Sequence, residues 1–143
     1  MNLDELSLDI SQNIDISAPP GDVFRSLLKK LAEENTTPGG NTMPMVLEPW
    51  PGGRWFRDLG DKQGHLWGFV QVIKSPTLLE LNGPMFMSYP VAGHMQLRLT
   101  QIPGGTNIAL RHRVLGHIEE DHRTGIVPGW EHMLKCVKQS AEG

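Results

Sequence analysis

Met45-Val46-Leu47-Glu48-Pro49-Trp50-Pro51-Gly52-Gly53-Arg54-Trp55-Phe56 decides the fold. Two apolar, aromatic-bearing segments flank a tight Pro-Gly-Gly turn. Pro49 and Pro51 bar a helix there, and Gly52 and Gly53 can take backbone angles closed to other residues. The segments on either side, Met43 to Glu48 and Gly53 to Arg57, therefore read as paired strands. A second turn, Gly60-Asp61-Lys62-Gln63-Gly64, leads into His65-Leu66-Trp67-Gly68-Phe69-Val70-Gln71-Val72-Ile73. That run is apolar at both parities, which predicts a central strand covered on both faces.

Other strands extend this sheet outward. Leu8, Ile10, Ile14 and Ile16 alternate with polar residues, and only Gln12 interrupts the apolar face. Leu78 to Leu81 forms a short strand after Pro76. Met95, Leu97 and Leu99 alternate with Gln96, Arg98 and Thr100. Pro103-Gly104-Gly105 turns this strand into Thr106 to Val114, whose Ile108, Leu110, His112 and Val114 share one face. Met85 to Gly93 is apolar but irregular and reads as a loop or short edge segment.

Two stretches have helical spacing. Val23, Phe24, Leu27, Leu28 and Leu31 make one apolar stripe after Pro19-Pro20. Trp130, Met133, Leu134 and Val137 make the other, within a helix expected from about Val127 to Ala141. Pro128 is expected to mark the start of that helix, because proline is tolerated in a first turn. The polar run Gly116 to Thr124 reads as a loop.

A chain of 143 residues supports one core, and one domain spanning 1–143 is expected. The 16 glycines and 11 prolines favour turns and short strands over a helical bundle. The net charge of −3 and the absence of a basic block argue against a nucleic-acid partner and against a polybasic membrane patch. No apolar run approaches membrane-spanning length, and the N-terminus is acidic where a secretory signal would be basic. A cytoplasmic protein is the expectation. A single cysteine, Cys136, excludes an internal disulfide and a multi-cysteine metal knuckle.

In chain order these elements resemble the START-like superfamily, also called SRPBCC, which has the birch pollen allergen fold. Ile14-Asp15-Ile16-Ser17-Ala18-Pro19-Pro20-Gly21-Asp22-Val23-Phe24 is similar to its strand-to-helix entry. Pro51-Gly52-Gly53-Arg54-Trp55 resembles its glycine-rich turn. The run from Gly68 through Pro76 to Leu81, the Pro103-Gly104-Gly105-Thr106 hairpin and Gly129-Trp130 followed by Leu134 continue the match. The closest subfamily is the one named for the C-terminal domain of the activator of the heat-shock-protein ATPase. The resemblance covers about residues 8–140 and implies an α+β helix-grip fold, a curved antiparallel sheet wrapped around a long C-terminal helix. The segment between Leu31 and Met43 departs from many relatives in being short and lacking a second helix.

A grip of this kind commonly leaves a cavity, and the expected lining is Trp67, Phe69, Leu97, Leu99, Leu110, His112, Trp130 and Met133. The expected function is binding of a small hydrophobic or amphipathic molecule there, with no cofactor and no metal. Trp offers a flat face and Met a pliable one, which suits varied apolar ligands, although each residue singly also fits ordinary core packing. His112 reads either as a ligand anchor or general base, or as a core histidine bonded to a buried partner. His117, Glu119 and His122 sit in a polar segment that reads as a solvated loop in preference to a metal site. Cys136 reads as a packed thiol.

The resemblance also implies two alternatives. One is a cyclase or hydrolase acting on aromatic or polyketide-like substrates. The second is an interaction module that binds a chaperone. The inward polar inventory, His112 with Gln71 and Tyr89, is thin for acid–base chemistry, which usually needs two groups with separated pKa values. A monomer and a homodimer both remain open.

Overall fold

The computed structural model describes residues 2–143. Strand β1 (Ser7–Ile16) leads into helix α1 (Pro20–Leu31). Strands β2 (Val46–Leu47), β3 (Arg54–Gly60), β4 (Gln63–Lys74), β5 (Leu78–Asn82), β6 (Val91–Ile102) and β7 (Gly105–Gly116) follow, and helix α2 (Glu120–Glu142) ends the chain. The strands form one antiparallel sheet in the order β1-β7-β6-β5-β4-β3-β2. Only β1 lies out of chain sequence, closing the far edge against β7. The sheet curves, and both helices pack on its concave side.

Alternation in the sequence becomes rows of side chains across this concave face. Ile10, His112, Met95 and Leu81 are register partners in one row. Gln12, Leu110, Leu97 and Leu79 form the next, and Ile14, Ile108 and Leu99 the third. Leu79, Leu81, Met95, Leu97 and Ile108 are each 0% exposed, so this is the floor of the core. Val23, Phe24, Leu27 and Leu31 of α1 and Ile126, Trp130, Met133, Leu134 and Val137 of α2 cover it.

The Pro-Gly-Gly turn forms as expected, because a Cβ at Gly53 would lie 1.9 Å from Glu48 O. Arg54 is held back across that turn, with Nε 2.9 Å from Glu48 Oε1 and Nη2 2.9 Å from Oε2. Trp55 Nε1 donates to Leu31 O at 2.8 Å, capping a carbonyl that the end of α1 leaves without a helical donor. The paired segment before the turn is shorter than Met43 to Glu48: only Val46 and Leu47 pair with β3.

Two expectations are corrected. β4 is not covered on both faces: Leu66 is 48% exposed and Phe69 41% exposed on the convex side. The final helix begins at Glu120 in place of Val127, so Pro128 lies inside it. Its first turns carry Glu120, Asp121, His122 and Arg123, whose polarity resembles a loop but suits a half-solvated helix. Acidic residues in the first turn are also favoured by the helix dipole.

Pro128 lacks the N–H that would bond Thr124 O, and Gly125 and Gly129 flank it. Gln12, the residue that interrupts the inward row of β1, donates Nε2–H to Val127 O at 3.0 Å. Pro128→Ala is therefore expected to stabilise the fold, by about 1–3 kcal/mol, and to raise the melting temperature by several degrees. Thermal unfolding followed by circular dichroism reads this directly. An unchanged or lowered midpoint would show that α2 needs the proline at this position.

Candidate ligand-binding cleft

A β-bulge shapes the site. Trp55 pairs with Gly68 and Phe56 pairs with Leu66, so Trp67 is an extra residue in β4. The bulge turns Trp67 to the concave side, where its ring lies 5.1 Å from Trp55 at 78° and 6.0 Å from Phe86. Phe86 is in turn 6.2 Å from Trp130. Strict alternation puts Trp67 and Phe69 on one face. The bulge separates them, which is why Phe69 points away from the cleft.

Trp67, Phe86, Ile126, Trp130, Met133 and Met43 wall a cleft of about 250 Å³ between the sheet and α2. Its rim is the Asn35-Thr36-Thr37-Pro38 loop on one side and Gly125 and Gly129 of α2 on the other. The loop is pinned by an isolated Thr36–Thr42 bridge and by Asn35 Nδ2, which donates to Met43 O at 3.0 Å. It lies in the short segment between Leu31 and Met43, which holds no second helix, as expected from the sequence. The walls are uncharged and nearly all apolar, with polar atoms confined to the rim. Pockets for drug-sized ligands run roughly 300–1,000 Å³, so this one fits a molecule of one or two rings. A larger concavity of about 620 Å³ lies on the β3–β4 hairpin among Arg54, Arg57, Asp58, Asp61 and Lys62. It is a charged surface depression, apart from the aromatic cluster.

Of the expected lining, Trp67, Trp130 and Met133 border the cleft. Leu97, Leu99, Leu110 and His112 lie in the packed core beneath it, at most 3% exposed. Phe69 is outside. Phe86, Met43, Ile126 and the 35–38 loop border the cleft without having been expected to. Nothing local in the sequence ties Phe86 or the loop to α2.

His112 is 0% exposed. Its Nδ1 accepts from Trp130 Nε1 at 3.0 Å, with the rings edge to face at 81°. Burial, helped by the nearby His94, pushes its pKa down to about 4, so the ring is neutral near pH 7. Because Trp130 donates to Nδ1, the ring proton sits on Nε2.

The remaining histidines are dispersed. Tyr89 Oη lies 2.5 Å from His122 Nδ1 and accepts from Glu119 N at 3.3 Å. This pair stacks beside Phe86, whose ring is 5.1 Å from His122. His132 Nε2 lies 2.8 Å from Thr36 Oγ1 and 3.5 Å from Cys136 Sγ, below the rim loop. His94 Nε2 is 2.9 Å from Glu80 Oε1 on the convex face. Among the described residues no three His, Cys, Asp or Glu side chains converge in a geometry that could hold a metal ion. No helix among them is long and apolar enough to cross a membrane.

By sequence, no family model and no curated protein matches the chain. By structure, it superposes on protein CV1439 from Chromobacterium violaceum with a TM-score of 0.73 at 17% identity, over 94% of this chain and 97% of that one. The Aha1 dimer from Colwellia psychrerythraea gives 0.67 at 16% identity, over 94% and 96%. The di-domain ARO/CYC StfQ of the steffimycin biosynthetic pathway gives 0.69 at 12% identity.

The chain has a helix-grip fold, a curved antiparallel sheet around a long C-terminal helix.

The match covers 98% of the present chain and 52% of StfQ, so the chain spans about half of that protein's length. At these identities the likeness establishes the architecture. The cleft sits between the gripping sheet and the gripped helix, and its walls are this chain's own.

Proposed function

We propose that the protein binds a small hydrophobic or amphipathic molecule in the cleft between the sheet and α2. The observation that carries this reading is the row of ring faces Trp67, Phe86 and Trp130 left in contact with open space, in a fold whose other concave-side residues are packed. Burying one aromatic ring of a ligand against such faces removes apolar area from water at roughly 25 cal/mol per Å². The Asn35–Thr37 rim would meet the polar end of an amphipathic ligand. Asn35 donates its amide N–H to Met43 O, leaving its Oδ1 as an acceptor, and the Thr37 hydroxyl accepts from Asn41 N at 3.3 Å and keeps its own proton to donate.

StfQ and the Colwellia Aha1 homologue share the architecture while their names point to different roles, so architecture alone leaves the role open. Binding is the reading favoured over catalysis because the cleft walls carry no titratable side chain.

Native mass spectrometry of the purified protein, repeated after denaturation, tests the reading. A species heavier than the chain by one small molecule, lost on denaturation, is the expected result. A bare chain mass that also stays unchanged with 2-naphthol added at its solubility limit would overturn it.

A further inference from the structure

His112 Nε2 is buried and has no hydrogen-bond partner among the described residues. Trp130 fixes the proton on that atom, so the core contains an N–H donor with nothing to accept it. An unpartnered buried donor costs on the order of 1–3 kcal/mol, which calls for an occupant. The flanking row neighbours, Ile10 and Met95, are apolar and supply no acceptor.

The space it faces is made by glycine. A Cβ on Gly93 would lie 3.5 Å from His112 Nε2 and 2.6 Å from the carbonyl oxygen of Gly83. Gly83 donates its N–H to Gly93 O at 3.0 Å, but no backbone N–H of the surrounding turns donates to its carbonyl. A donor and an acceptor thus border the same bare face of Gly93. One oxygen that accepts from Nε2–H and donates to Gly83 O satisfies both. A hydroxyl does this. A ketone or ether oxygen serves only the first, and a carboxylate would meet the Gly83 carbonyl with charge.

We propose that His112 Nε2, Gly83 O and the bare face of Gly93 form a hydroxyl-binding site beside the connection between β5 and β6, filled by the hydroxyl of a cleft ligand or by a resident water. The ligand source rests on the cleft reading above. It implies that the ligand is a phenol or alcohol on an apolar ring body, passing Trp130, whose ring borders the cleft and whose Nε1 holds His112. The GIVPG segment before Trp130 provides the yielding wall, since two glycines and a proline weaken the helix there.

The test is imidazole NMR on protein labelled with ¹⁵N-histidine at pH 7, titrated with 2-naphthol and with 2-methylnaphthalene. The His112 Hε2 proton is expected as a protected resonance on Nε2. If a ligand hydroxyl fills the site, 2-naphthol moves that resonance and 2-methylnaphthalene leaves it in place. His112→Asn keeps an acceptor for Trp130 but loses the Nε2 donor, and it then weakens 2-naphthol about tenfold without affecting 2-methylnaphthalene. If water fills the site, Hε2 shows a cross-relaxation peak to a bound water in the free protein, and neither probe moves it. The wild-type spectra decide the matter even if the variant fails to fold. A proton on Nδ1, or an Hε2 resonance with neither a water peak nor a response to 2-naphthol, overturns the proposal. Failure of both probes to change tryptophan fluorescence would instead count against the cleft reading, and the water peak would still report on the site.

Discussion

Trp130→Ala is expected to lose about 3–5 kcal/mol of folding stability, the range for truncating a buried aromatic side chain. Trp130 is 6% exposed and touches both the core floor and the cleft. Its removal takes away the ring contact with Phe86 and also the donor to His112 Nδ1. Trp130→Phe separates the two effects. It retains a ring and loses the N–H, and should cost about 1–3 kcal/mol through the unpaired imidazole nitrogen. Urea unfolding of the two variants gives both numbers. A Trp130→Phe loss near zero would mean that the hydrogen bond to His112 contributes little, and equal losses would mean that a phenyl ring at this position contributes nothing.

The second large effect is a loss of stability in mild acid. His112 has a folded pKa of about 4 against an ordinary 6.5. As pH falls below 6.5 the unfolded chain takes up a proton that the folded chain refuses. The stability contributed by keeping His112 neutral is complete above pH 6.5, declines as pH drops to 4, and falls no further below that. At about 1.4 kcal/mol per pH unit the decline amounts to about 3 kcal/mol. Paired carboxylates act in a lower window. Glu48, held down to about 2 by hydrogen bonds from Arg54, contributes stability that is lost only as pH falls below its ordinary 4.5. The two windows are therefore separable. His112→Phe should flatten the slope between pH 6.5 and 4 while leaving the steeper acid limb. An unaltered slope in that variant would assign the acid sensitivity to another group.

These effects centre on a residue whose orientation could be read from the sequence and whose partner could not. The alternation of Ile108, Leu110, His112 and Val114 puts His112 inward, and the structure does so. Trp130, eighteen positions later, meets it only because α2 lies across β7. The β6–β7 hairpin, the Pro-Gly-Gly turn and the α1 stripe are likewise local patterns, and local patterns survive folding intact. β4 fails for a definite reason. A bulge inserts one residue without any mark in composition, and the side chains that follow change face relative to strict alternation until a second irregularity between Val70 and Val72. Trp67 and Phe69 part company there. The start of α2 was obscured because its first turns are polar on most sides, and Pro128 offered a more obvious boundary. The cleft draws on residues 35–43, 67, 86 and 125–133, which no periodicity connects.

The methionines offer the most direct check on the cleft. Met43 and Met133 border it, whereas Met87 and Met95 are buried away from it. In protein carrying ¹³C-methyl methionine, titration with 2-naphthol should move the Met43 and Met133 methyl resonances with one saturating curve and leave Met87 and Met95 in place. Ring currents from a probe seated against Trp67 and Trp130 would make the shifts large. Unmoved Met43 and Met133 methyls at the probe's solubility limit would contradict a ligand cleft between the sheet and the helix.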